Sequence, residues 1–238
     1  LRAPGGCDWD REQTHKSLIP YLIEETYEVV EAIENKNSQD LKEELGDLIL
    51  HVLFQAELSS EKGEFDIFDS LDSINNKLIN RHPHVFGKKK TDVAFEAKQN
   101  WEAAKHKEKK RKSRLDGVPL ILPALIRAQR LQEKAAYIGF DWENLDDVWA
   151  KIHEEIDELK AAQEKGDFKN IKEEIGDVLF SVVNLARKLN IPAEDMLRAT
   201  NKKFVNRFQN IEKVIKSKGK TMEDATLEEM DKIWNQSK

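Results

Sequence analysis

The sequence predicts an all-α protein made of two tandem repeats of one helical bundle. Three observations carry that expectation. Only 10 Gly and 6 Pro punctuate 238 residues, which favours long helices over a turn-rich β fold. Apolar residues recur at helical spacing in several long segments. One acidic pattern also occurs twice, 130 residues apart: Glu24-Glu25-x-x-Glu28 then Glu44-x-Gly46-Asp47, and Glu154-Glu155-x-x-Glu158 then Glu174-x-Gly176-Asp177. The step from Glu28 to Glu44 equals the step from Glu158 to Glu174, 16 residues, so the pattern reads as a duplicated unit.

The elements follow in chain order. Leu18, Tyr21, Leu22, Val29 and Ile33 mark a helix over 18–33, with Ser17 expected as its cap and Pro20 in the first turn, where proline is tolerated. Residues 35–39 read as a loop. A second helix over 41–58 is expected to bury Leu45, Leu48, Ile49, Val52 and Phe54. Further helices are expected over 67–80 and 94–107, and Arg81-His82-Pro83-His84 reads as a loop. In the second unit, Asn144 is the expected cap of a helix over 145–164, with Asp147 completing a capping box. A loop over 165–169 surrounds Gly166, and helices are expected over 171–189, 193–217 and 227–234. Between the units, 105–114 is strongly basic and Asp116-Gly117-Val118-Pro119 follows. The expected division is a first domain over 1–106, a basic linker over 107–119 and a second domain over 120–238.

The repeat extends past the acids. Asp8-Trp9 matches Asp141-Trp142, Lys77 and Arg81 match Lys203 and Arg207, and Trp101 and Lys105 match Trp234 and Lys238. The offset drifts between 126 and 133, as loop-length changes require.

Composition narrows the function classes. A net charge of −6 argues against non-specific nucleic-acid binding. The single Cys7 excludes an internal disulfide and fits a reducing cytoplasm. No apolar run approaches the roughly 20 residues that span a bilayer, and no signal peptide is visible. The chain begins at Leu1 rather than Met, which leaves room for upstream residues.

Residues three or four apart share a helix face, so Glu155 pairs with Glu158 and Glu174 with Asp177. If the two helices pack antiparallel, four carboxylates meet in one cleft. They repel one another and lose hydration, so a cation must offset them. Oxygen-only ligands select Mg²⁺ or Mn²⁺ over zinc. Gly176, between the acids, would let a partner helix or a phosphate approach closely. One acidic cluster alone reads as a solvated helix face, but two in identical register do not. A di-iron bundle would need Glu-x-x-His in these acidic motifs, where the third residue on is Glu or Asp and never His; His51 follows Asp47 by four residues, but its counterpart is Ser181. Lys203 and Arg207, one turn apart, suit phosphate oxygens, although such a pair alone reads as salt-bridge partners. Trp234 fits base stacking and core capping equally. Trp9 and Trp142 read as core.

These units, with Lys-x-x-x-Arg downstream, resemble the MazG family of nucleoside triphosphate pyrophosphohydrolases. The resemblance covers nearly the whole chain, including the segment from Gly6 to Thr14, Arg81-His82-Pro83-His84-Val85-Phe86 and Gly139-Phe140-Asp141-Trp142. It implies an all-α bundle completed by homodimerisation. The implied reaction is NTP + H2O to NMP and diphosphate, with Mg²⁺ required, Mn²⁺ as a substitute and broad base tolerance, for nucleotide-pool housekeeping. By position, Glu155, Glu158, Glu174 and Asp177 are the implied metal ligands, with Glu154 as a holder of the attacking water. Lys151, Lys203, Arg207, Trp234 and Lys238 are the implied nucleotide site. The first unit offers Glu25, Glu28, Glu44 and Asp47, with Lys77 and Arg81, but Tyr21 stands where Lys151 would be. The second unit is therefore favoured as the main catalytic site. Rival readings are a specialised dCTP, dUTP or phosphoribosyl-ATP pyrophosphohydrolase, and a metal-binding interaction module without turnover.

Overall fold

The computed structural model describes residues 1–86 and 112–237. These form ten α-helices and no strand among the described residues. The chain divides into two compact units, Leu1–Lys105 and His106–Lys238. The helix expected over 94–107, Trp101, Lys105, Lys238 and the start of the basic linker lie outside the described residues.

In the first unit, α1 (Asp8–Glu12) leads into α2 (Ile19–Glu34), α3 (Ser38–Ser60), α4 (Ile67–Arg81) and the single turn α5 (Pro83–Phe86). Helices α2 and α3 pack as a hairpin. Lys36 turns it at φ 53°, and the Asn37 side chain accepts from the backbone N–H groups of Gln39 and Asp40. Ser17 does not cap α2. Its hydroxyl accepts from the Thr14 backbone N–H, and Leu18 takes the N-cap position without a side-chain bond. Asp66 and Asp69 close a capping box on α4. The expected loop at Pro83 instead winds into α5. Leu18, Phe54 and Leu58 form the core, and the Arg2 guanidinium lies 5.7 Å from the Phe54 ring centre.

In the second unit, α6 (Ala124–Ala136) precedes α7 (Leu145–Lys165), α8 (Phe168–Lys188), α9 (Ala193–Ser217) and α10 (Leu227–Gln236). The sequence reading missed α6. Its signals are Pro123 just before it and the spacing of Leu125, Ile126 and Leu131. Asn144 holds the N-cap of α7 but makes no side-chain cap bond, so the capping box is absent. The expected five-residue loop shrinks to Gly166, left-handed at φ 68°, and Asp167, whose carboxylate caps α8. So short a turn forces α7 and α8 antiparallel. Helix α8 packs on α6 and α7, and α9 on α6 and α10. Thr226 and Glu229 close a capping box on α10. Ile211, Ile215 and Ile233 form the α9–α10 core.

The expected inward face of α3 is corrected. Only Phe54 of the five is buried, whereas Leu45, Ile49 and Val52 are 45–60% exposed. Their counterparts Ile175, Leu179 and Val182 on α8 are equally exposed. One face of each hairpin helix packs on its neighbour, and the opposite apolar stripe lies bare. Trp9 and Trp142 are also not core, being 50% and 42% exposed.

Candidate active site

Each hairpin gathers its glutamates at mid-height. On α7, the i, i+3 spacing aligns Glu155 with Glu158, and the antiparallel α8 brings Glu174 opposite. Carboxylate oxygens of these three residues lie within 4.8 Å of one another. Glu25 and Glu28 on α2 and Glu44 on α3 repeat the arrangement within the same distance. The expected fourth acids, Asp177 and Asp47, stand outside these sets of three. They are still near enough to act electrostatically on Glu174 and Glu25.

The clusters carry the strain of like charges. Lost hydration, then repulsion from Glu158, Glu155 and Asp177, pushes the Glu174 carboxyl above its ordinary value. In the first unit, lost hydration followed by Asp47 and Glu28 raises Glu25, and lost hydration followed by Glu28 raises Glu44. The donors are all hard oxygens, which is the chemistry of a divalent-cation site.

The two units differ at one contact. The Lys151 ammonium lies 2.7 Å from buried Glu155 and 3.0 Å from Glu154. These hydrogen bonds, Glu155's first, hold its pKa well above the usual lysine value. Lys151 thus neutralises part of the cluster in this structure. Tyr21 at the corresponding position offers no charge and instead meets Trp9 edge-on, with ring centres 5.9 Å apart.

The later basic residues Lys203 and Arg207 are not paired with the cluster: Lys203 is exposed on α9, and among the described residues neither it nor Arg207 forms an ion pair with the three carboxylates. The Arg207 guanidinium lies 5.4 Å from the Trp234 ring centre, and Phe204 packs on the same ring at 5.3 Å. Trp234 also packs against the α9–α10 core. Lys77 is half-buried on α4, and Arg81 is buried at its end. An added Cβ at Gly176, or at Gly46, would meet nothing within 4 Å inside the chain, so no helix of the same unit uses that space.

The fold and the site define a tandem all-α protein with a cluster of three glutamates in each repeat that could hold a cation. Its family is given by comparison. The model of the MazG nucleotide pyrophosphohydrolase domain matches twice, over residues 13–86 and 144–211, and the chain belongs to this family. All of the chain aligns at 47% identity with 91% of the nucleoside triphosphate pyrophosphohydrolase/pyrophosphatase MazG of Thermotoga maritima. All of it also aligns at 44% identity with 93% of the Escherichia coli K12 nucleoside triphosphate pyrophosphohydrolase. A Mycobacterium tuberculosis protein of that name is 43% identical over 58% of the chain and 42% of its own length.

Proposed function

We propose that this chain is a Mg²⁺-dependent nucleoside triphosphate pyrophosphohydrolase, converting NTP and water to NMP and diphosphate. The observation that carries the reading is the pair of three-carboxylate clusters in one register, in a chain that aligns end to end with relatives of that name. Water attacks the α-phosphorus, and the bond to the bridging oxygen of the leaving diphosphate breaks.

Glu155, Glu158 and Glu174 would hold the cation, with Asp177 beside them. Glu25, Glu28 and Glu44, with Asp47, would do so in the first unit. When bound, Mg²⁺, or Mn²⁺ in its place, neutralises phosphate charge and makes bound water more acidic. Glu154 holds the attacking water and takes its proton. Lys151 exchanges Glu155 for a phosphate oxygen once the cluster's charge is offset. Lys203 and Arg207 bind phosphate, Arg207 held by its stacking on Trp234, and Lys238 is a further phosphate contact of this reading. Lys77 and Arg81 are the first unit's counterparts, but without a lysine at Tyr21 the second unit is the main site.

The bare stripes on α3 and α8 support a homodimer, because a helical hairpin needs a partner face to bury them. Among the described residues, no helix is long and apolar enough to cross a membrane. The single exposed Cys7 suits a reducing cytoplasm.

The test is to incubate each NTP and dNTP with Mg²⁺ and identify products, comparing wild type with Glu28→Gln and Glu158→Gln. NMP and diphosphate from several bases, lost only in Glu158→Gln, is the expected result. NDP and phosphate would overturn attack at the α-phosphorus. Turnover of one base alone would mean a specialised enzyme, and no product would leave a metal-binding module.

A further inference from the structure

The second unit contains a cavity of about 280 Å³ between α6, α7 and α8. That is near the lower end of ligand pockets, roughly 300–1,000 Å³, and suits a flat ring better than a whole nucleotide. Its walls are apolar, from Leu131, Ala135, Val148 and Phe180. Phe140 and Trp142 also line it, 81% and 42% exposed, giving two aromatic faces at its mouth.

One polar side chain in this lining is incomplete. Gln132 is 7% exposed, and its Nε2 donates to the Phe180 carbonyl at 2.8 Å. That bond fixes the amide, so Oε1 is the acceptor left over, buried without a partner among the described residues. A buried acceptor with nothing to accept from is costly unless a ligand supplies a donor. Lys151 lines the same cavity and reaches Glu155 with its ammonium. The cavity therefore lies one side chain away from the carboxylate cluster. The first unit differs at two of these positions: Tyr21, packed on Trp9, replaces Lys151, and buried Phe54 replaces Asn184, which lines the cavity.

We propose that this cavity seats the nucleobase of the substrate, with Gln132 Oε1 accepting a hydrogen bond from a base N–H. The proposal rests on the pyrophosphohydrolase reading and assigns its base site. Adenine and cytosine donate from an exocyclic amino group, guanine from N1–H and its amino group, and uracil and thymine from N3–H. Every base can meet this acceptor, so Gln132 by itself does not choose among them. Specific base selection would need a second polar group of fixed direction.

The test uses products, which are not turned over, titrated calorimetrically into the full chain with Mg²⁺. The probes are AMP, purine riboside 5′-monophosphate, whose ring carries no such N–H, and ribose 5-phosphate, which has no base. Wild type is expected to bind AMP roughly fivefold tighter than the purine riboside compound and at least tenfold tighter than ribose 5-phosphate. Gln132→Leu should erase the first difference. Ala135→Phe, which fills the cavity, should bring AMP to the ribose 5-phosphate level. Phe140→Ala, at an exposed position that folding does not need, should weaken AMP roughly tenfold and leave ribose 5-phosphate unchanged. Equal binding of AMP and ribose 5-phosphate, or AMP binding indifferent to both Gln132→Leu and Phe140→Ala, would overturn the proposal. If NTPs are hydrolysed while AMP ignores these variants, the base site is wrong and the hydrolase reading stands. If AMP binds as expected but no NTP is cleaved, the pocket stands and the hydrolase reading falls.

Discussion

Replacing Lys151 by methionine tests the contact that distinguishes the two units. Methionine keeps most of the apolar stem and removes the charge. Glu155 is buried, 6% exposed, and loses a cation 2.7 Å away while facing Glu158 and Glu174. At that distance, with an effective dielectric near 20, the gross attraction is roughly 6 kcal/mol. The lysine is itself one-third exposed, at 33%, so desolvation and screening cut the net loss to about 2 kcal/mol. For a chain of this length that is a fall in Tm of about 6 °C. The assay is thermal melting followed by circular dichroism in EDTA and in Mg²⁺. The variant should melt lower in EDTA and recover more than wild type gains in Mg²⁺, because a divalent cation replaces the lost ammonium. A variant melting within about 1 °C of wild type in EDTA would refute the claim that Lys151 neutralises the cluster.

Other outcomes follow from the same geometry. Glu174, Glu25 and Glu44 have folded pKa values raised above their ordinary 4.5, so the stability they contribute is complete below that value and is lost as pH rises through the raised one. Metal-free protein should therefore melt higher at pH 5 than at pH 7, and a lower melt at pH 5 would contradict this. Gly176→Ala should raise Tm by a few degrees, since an alanine methyl meets no atom and the residue is helical. A fall would mean that a partner helix or ligand fills that space. Leu179→Lys, at a residue 54% exposed in the bare stripe of α8, should leave helicity intact. Light scattering should then show half the mass of the proposed homodimer, and a mass unchanged from wild type would refute a dimer built on this stripe.

Local periodicity made much of this protein legible in its sequence. The i, i+3 spacing put Glu155 and Glu158 on one face whatever packed beside them, and the identical register of Glu25 and Glu28 announced the second copy. Helix lengths followed from apolar spacing, and their stops from Gly166 and Pro192. Capping was less secure. Ser17 and Asn144 are good cap residues, yet a cap forms only if the chain arrives at the right angle, and at Ser17 a bond with Thr14 wins.

Tertiary structure decided what lies across each helix. The spacing of Leu45, Ile49 and Val52 reads the same whether the stripe faces a core or is left bare, because periodicity gives a face and not its neighbour. The same holds for the acids: all four per unit share faces, but the crossing of two helices selects three glutamates and leaves each aspartate aside. It also turned Lys151 onto Glu155, left Trp142 half-exposed, and brought the unforeseen α6 against α8 with Gln132. Composition and spacing thus singled out the acidic residues that each candidate site gathers. Only packing between distant segments settled which of them meet, because burial and electrostatic coupling depend on atoms that are far apart in the chain.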